Sequence, residues 1–141
     1  FTYGIVSQST SQNVTSGQWW QGNSAGTGIT YSVNVEYSNR TATSVQARIV
    51  WTQSIKSACY GTNQYFNGVL GGVSTGDKLI TSSSTWYNGT TTKYYTGSVT
   101  AYSSWVTIPV SATTTSVGVY GSWWDSWRSG SWSGTLYIPT Y

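Results

Sequence analysis

Apolar and polar residues alternate strictly between Gly28 and Tyr37, and this pattern constrains the fold more than any other feature of the chain. Successive side chains of a β-strand point to opposite faces, so the alternation predicts a strand with one buried face. The residues predicted to be buried are Ile29, Tyr31, Val33, Val35 and Tyr37. The next strand repeats the pattern with Val45, Ala47, Ile49 and Trp51. We expect the two strands to pair as a hairpin or meander, with Asn39-Arg40 at the turn.

The segment Thr115–Pro139 holds four of the nine tryptophans and predicts two more strands with a short connection. The residues predicted to face inward on the first strand are Val117, Val119, Gly121 and Trp123. On the returning strand they are Trp132, Gly134, Leu136 and Ile138. Because neighbouring side chains alternate, Trp124 is predicted to point outward, while Trp127 falls in the connection DSWRSG.

The remaining sequence predicts strands and turns, and no stretch shows the apolar stripe of an amphipathic helix. Residues 1–6 read as an edge strand and residues 7–28 as a long loop or a weak strand pair. Asn88-Gly89 is the strongest hairpin signal, since both residues tolerate positive φ, and Pro109 places residues 105–110 at a sheet edge or a strand end. About eight or nine short strands result. The prediction is an all-β, antiparallel β-sandwich, immunoglobulin-like or jelly-roll in type, forming a single domain over residues 1–141.

The chain is rich in uncharged polar residues and poor in charged ones. Only 6% of its residues are charged, against roughly a quarter in an average globular protein. Such a composition is common in secreted, cell-surface and virion-exposed β-proteins, and we expect an extracellular or surface location. The six basic residues are scattered, which argues against nucleic acid as a partner. No apolar run approaches the length of a membrane span, so membrane insertion is not expected.

Several kinds of chemistry are excluded by composition. The chain has no histidine, one cysteine (Cys59) and three carboxylates, so nucleophilic triads and tetrahedral zinc sites cannot be assembled. We expect no metal, no cofactor and no enzymatic activity. A glycoside hydrolase that uses Glu36 and Asp125 is a minor alternative, because two facing carboxylates would suffice for that reaction.

Aromatic side chains remain as the candidate binding groups. Indole and phenol rings stack on the apolar faces of sugar rings, while nearby polar groups bind the hydroxyls. The candidate ligand-binding residues are Trp19, Trp20, Trp124, Asp125, Trp127 and Arg128, with Tyr60, Tyr65, Trp86 and Tyr87 as second choices. Two simpler interpretations compete with this one: Asp125 and Arg128 pair with each other, and most aromatic residues pack in the core. We expect the core to hold Trp51, Trp105, Trp123 and Trp132.

Three segments carry a family resemblance: ITYSVNVEYSNRTATSVQARIVW, TWYNGTTTKYYTGSVT and SGSWSGTLYIPTY. They resemble the Ser/Thr-rich immunoglobulin-like modules of bacteriophage tail and virion proteins and of bacterial surface proteins. The resemblance implies a non-enzymatic module that acts through protein contacts with neighbouring virion or surface subunits. The Trp-rich terminal hairpin and Trp19-Trp20 look more like a carbohydrate-binding module. Carbohydrate recognition is therefore the first hypothesis, and a structural module is the alternative.

Overall fold

The computed structural model describes residues 10–20, 28–60, 63–81, 94–126 and 128–141. Ten strands lie within these residues. They are β1 (Thr10–Trp20), β2 (Gly28–Ser38), β3 (Ser44–Tyr60), β4 (Gln64–Leu70), β5 (Val73–Ser74), β6 (Lys78–Thr81), β7 (Tyr94–Tyr102), β8 (Val106–Pro109), β9 (Ser116–Trp124) and β10 (Ser129–Tyr137). The predicted strand over residues 1–6 and the Asn88-Gly89 turn lie outside the described residues.

The strands form two antiparallel sheets. The first sheet has the order β1-β2-β3-β7, and β8 pairs with the other part of β3. The second sheet has the order β10-β9-β4-β5, and β6 also pairs with β4. The buried residues of both sheets form one shared core. The prediction of an all-β sandwich is therefore confirmed, although the described residues contain more strands than the eight or nine expected.

The alternation predicted the register of the central strands correctly. β2 pairs with β3, and Val33 lies opposite Trp51, so the two apolar faces coincide. β9 pairs with β10 in the same way, with Leu136 opposite Val117. The predicted inward residues of β2, β3 and β10 are buried, except that Gly134 is half-buried. Val117 is also only partly buried, because it is the second residue of β9 and lies near the end of the sandwich.

The segment expected to be a long loop or a weak strand pair contains β1, which pairs with β2 along its length. The register shifts between Asn13 and Thr15, so Val14 is an extra residue in a β-bulge. The bulge reverses the alternation halfway along the strand. A search for strict period-two patterning therefore does not detect β1.

Three aromatic rings stack across the core between the two sheets. The Trp51 ring lies 4.6 Å from the Tyr31 ring and 5.2 Å from the Phe66 ring, and both pairs are nearly parallel. The Trp51 indole N–H donates to Gln53 Oε1, and Gln53 Nε2 donates to Gln64 Oε1. The core thus combines large apolar area with a short buried chain of hydrogen bonds, as buried polar groups require.

The edge strands β1 and β10 lie side by side, where the two sheets meet. The Tyr137 N–H donates to Gln12 Oε1 at 2.7 Å, and Gln12 Nε2 donates to the Tyr137 carbonyl at 3.3 Å. The Gln12 side chain therefore takes the place that a neighbouring backbone would occupy on β10. It links the two sheets by side-chain hydrogen bonds at this edge.

Candidate functional site

Trp124 and Tyr65 form a stacked aromatic pair on the outer face of the second sheet. Trp124 ends β9 next to the buried Trp123, so its side chain lies outside the core, as predicted. Tyr65, in β4, is the direct cross-strand partner of Trp124. The ring centroids are 5.4 Å apart at an interplanar angle of 14°, and both residues are half-buried. We call this pair, with the neighbouring Asn67, Tyr120 and Ser122, the Trp124 platform.

The platform has polar groups beside its rings. Asn67 lies opposite Ser122, and its Oδ1 accepts the Ser122 N–H at 2.9 Å. Its Nδ2 donates to Asp77 Oδ1 at 3.1 Å, so both ends of the amide are oriented. Tyr120, which follows on the same face of β9, is 56% exposed. The face thus offers flat apolar surfaces with fixed polar groups between them.

The turn between β9 and β10 is built around Asp125. Its Oδ1 accepts the Arg128 backbone N–H at 2.8 Å, and its own N–H donates to the Arg128 carbonyl at 2.9 Å. The carboxylate therefore shapes the turn at the edge of the platform. Both of these hydrogen bonds are made to main-chain atoms of Arg128. The Arg128 side chain is exposed.

The structure describes only some atoms of the other predicted site residues. The main chain of Trp19 pairs with Ile29 and that of Trp20 with Gly28, but their side chains lie outside the described residues. Trp127, the Tyr60 side chain, Trp86 and Tyr87 also lie outside them.

The ends of β1 and β9 nevertheless lie at the same end of the sandwich. Tyr31, the cross-strand partner of Gly17, has its ring 6.2 Å from the ring of Trp123. The main chain of residues 19–20 therefore lies at the same end as the turn that follows Trp124.

A second aromatic cluster was not predicted. Trp105 was expected in the core, but it is 40% exposed and packs on the outer face of the first sheet. The alternation of β8 indicates where the Trp105 side chain points. Ile108 is buried and Val106 is partly buried, so Trp105 lies on the outward side. The guanidinium carbon of Arg48 lies 4.4 Å from the Tyr102 ring centroid and 4.8 Å from that of Trp105. We call these three residues the Arg48 cluster.

The pair of carboxylates considered for a hydrolase lies in different sheets. Glu36 sits on the outer face of the first sheet, between the buried Val35 and Tyr37, and its Oε1 accepts from Arg48 Nε at 2.7 Å. Asp125 holds the β9–β10 turn of the second sheet. The two carboxylates therefore do not face each other across a cleft, which is the arrangement that glycoside hydrolysis requires.

A cleft of about 500 Å³ lies on the outer face of the first sheet. Hydroxyl and amide side chains of three strands line it, among them Ser16, Gln18, Thr30 and Thr52. Neither in this cleft nor in the rest of the described part of the chain does a group of three or more His, Cys, Asp or Glu residues occur. No helix among those residues is long and apolar enough to cross a membrane.

Comparisons with protein families, curated proteins and solved structures found no match to this chain.

Proposed function

We propose that this chain is a non-enzymatic carbohydrate-binding module and that the Trp124 platform is its binding surface. The observation that carries the proposal is the stacked pair of Tyr65 and Trp124, two half-buried residues on the outer face of the second sheet. Two neighbouring strands fix the pair, so its rings are oriented before a ligand arrives. Preorganisation of this kind lowers the entropy lost on binding.

Sugar rings match this surface chemically. The C–H face of a pyranose stacks on an indole or phenol ring, while its hydroxyls project sideways to polar side chains. Ser122 and Asn67 lie between the stacked pair and Tyr120, and Asp125 lies at the end of β9. An extended saccharide on this face would meet aromatic and polar groups in turn.

The low charge of the chain supports a neutral hydroxylated ligand over a nucleic acid. It also supports a role at a cell or virion surface, where cell-surface glycans and polysaccharides are available. Glu36 and Asp125 are each engaged in hydrogen bonds of the fold, which favours recognition without hydrolysis.

A glycan array with the isolated chain, followed by affinity electrophoresis in soluble polysaccharides, tests the proposal. Tyr65→Ala and Trp124→Ala should each weaken binding, because each removes one ring of the stacked pair. Tyr141→Ala is the matched control, since Tyr141 is also exposed but lies near Ala112, away from the platform. Its binding should equal that of the parent.

The alternative of a structural module gives the opposite results. It predicts no saturable binding to any glycan, together with self-association or capture of a protein neighbour. Sedimentation of the parent and of Trp124→Ala distinguishes the two: an oligomer that dissociates in the variant would replace the carbohydrate proposal with a protein interface.

A further inference from the structure

We propose that the Arg48 cluster is a second saccharide-binding site, on the opposite face of the sandwich from the Trp124 platform. The inference extends the proposed function by assigning two sites to one chain. A protein with two such sites crosslinks polysaccharide chains, and this property can be measured separately from binding.

The cluster presents two exposed rings that both contact the Arg48 guanidinium. Tyr102 is 45% exposed and Trp105 is 40% exposed, and the Arg48 guanidinium packs on both. Tyr102 lies opposite Val50 in the ladder between β7 and β3, and Trp105 directly precedes β8, which pairs with the start of β3. β7 and the residue before β8 therefore position the two rings on one sheet, as β4 and β9 position the pair in the Trp124 platform.

Hydrogen-bonding groups lie between the rings. Arg48 Nε is bound to Glu36, whereas the terminal guanidinium nitrogens make no hydrogen bond to any residue in the described ranges. They remain as donors for ligand hydroxyls, and Glu36 supplies an acceptor at the same place. The cluster therefore offers stacking, donation and acceptance within one small surface.

The charges of the cluster favour a neutral sugar. The Glu36 carboxylate compensates the Arg48 charge at 2.7 Å, so the site has no net charge to attract an acidic saccharide. A ligand carboxylate would also approach Glu36 and be repelled. We therefore infer a neutral hexose polymer as the ligand class and a weak response to uronic-acid polymers.

The cleft lies on the same face as the Arg48 cluster, further along β3. Arg48 and Thr52 both face outward on this strand, and Thr52 lines the cleft of about 500 Å³. The four residue steps from Arg48 to Thr52 correspond to about 13 Å of extended chain. A saccharide lying along β3 thus reaches both the aromatic pair and the cleft, so affinity should rise with the length of the oligosaccharide.

The two sites face away from each other. The Arg48 cluster is on the outer face of the first sheet, the Trp124 platform is on the outer face of the second, and the buried core separates them. Packed sheets lie about 10 Å apart before side chains are added. One saccharide chain would have to turn around an edge of the sandwich to reach both sites, so two different chains bind.

The test combines affinity electrophoresis with turbidity in mixed-linkage β-glucan, galactomannan and dextran. The parent should be retarded and should give turbidity that rises and then falls as protein is added in excess. Trp105→Ala and Trp124→Ala should each remain retarded, with affinity reduced on the order of tenfold, and should give no turbidity. The double variant should not be retarded. Tyr141→Ala is the control, and sedimentation establishes that each variant is monomeric.

The outcomes separate the two proposals. Unchanged retardation and turbidity in Trp105→Ala would overturn the second site and leave the Trp124 platform standing. Complete loss of retardation in Trp105→Ala, with Trp124→Ala unaffected, would support the Arg48 site and refute the platform. Absence of retardation of the folded parent in all three polymers would refute both.

A charge variant tests the inferred specificity. Glu36→Gln removes the carboxylate that compensates Arg48, so the cluster should gain binding to polygalacturonate. Trp105→Ala in the same chain should abolish this gain. Thr140→Lys changes the net charge equally, at an exposed position beside the control residue Tyr141, and should give no gain. An equal response to Thr140→Lys would show a general effect of charge and overturn the assigned specificity.

Discussion

Arg40 Nε donates a hydrogen bond of 2.9 Å to the carbonyl oxygen of Pro139, which lies 99 residues later in the chain. The Arg40 side chain is 1% exposed. Its terminal nitrogens donate to the carbonyls of Thr41, Ser111 and Thr114. Within the described ranges, its hydrogen-bond partners are all main-chain carbonyls, so one buried guanidinium joins three separated parts of the backbone.

Replacing Arg40 should therefore destabilise the fold strongly. Arg40→Met leaves several carbonyls without donors, and Arg40→Lys keeps the charge but loses the planar set of donors. We expect each variant to lose about 3–5 kcal/mol of unfolding free energy. Urea denaturation measures the loss, with Arg128→Lys, an exposed change, as the control. A loss below that of a typical surface substitution would contradict the role of the guanidinium.

The two adjacent tryptophans of β9 should differ in their effects on stability. Trp123 is buried against Tyr31, so Trp123→Ala should cost roughly 3–5 kcal/mol. Trp124 is only half-buried, and loss of its stack on Tyr65 should cost about 1 kcal/mol. Chemical denaturation of both variants tests this order, and equal losses would place Trp124 in the core.

Two glycines of β9 provide a matched pair of substitutions. A Cβ at Gly121 would overlap the Asn67 carbonyl oxygen and the Trp132 indole, whereas a Cβ at Gly118 would meet nothing within 4 Å. Gly121→Ala should therefore cost more than about 2 kcal/mol. Gly118→Ala should be neutral or stabilising by roughly 0.5 kcal/mol, since glycine weakens a strand. Thermal denaturation of the two variants gives the comparison.

Two substitutions in the buried series of hydrogen bonds from Trp51 through Gln53 to Gln64 should lower the unfolding free energy by different amounts. Gln53→Leu leaves the Trp51 N–H and the Gln64 carbonyl oxygen without their partners, at a cost of about 2–4 kcal/mol. Gln64→Leu should cost less, because Gln64 Nε2 is itself buried without a partner among the described residues. Urea denaturation of both variants measures the difference, and the reverse order would contradict this hydrogen-bond assignment.

The sequence predicted those parts of the fold in which local alternation and burial agree. β2, β3, β9 and β10 were placed correctly, because each has a strict apolar face. β1 was predicted only as one of two alternatives, a long loop or a weak strand pair, because the bulge at Val14 interrupts the alternation. Trp105 was misplaced because its residue type suggested burial, while its position before β8 indicated the opposite face.

The candidate site was less predictable than the fold. Outward exposure of Trp124 followed from the alternation, but its stacking on Tyr65 depends on the pairing of β4 with β9. Pairing between strands so far apart in the sequence leaves no local pattern. The same holds for Arg48, Tyr102 and Trp105, which come from three elements and meet only after the first sheet forms.

The two hydrogen bonds between Gln12 and Tyr137 also affect how copies of this chain meet at high concentration. An unpaired edge strand can recruit a strand from another molecule and begin a polymer, and proteins commonly prevent this with charged side chains. With 6% charged residues, this chain has little electrostatic repulsion to keep its copies apart. The Gln12 amide binds both the N–H and the carbonyl of Tyr137. A strand from another molecule therefore cannot form backbone hydrogen bonds with β10 at this residue. Crowded surfaces and tandem arrays are the settings in which this protection against fibre growth matters most.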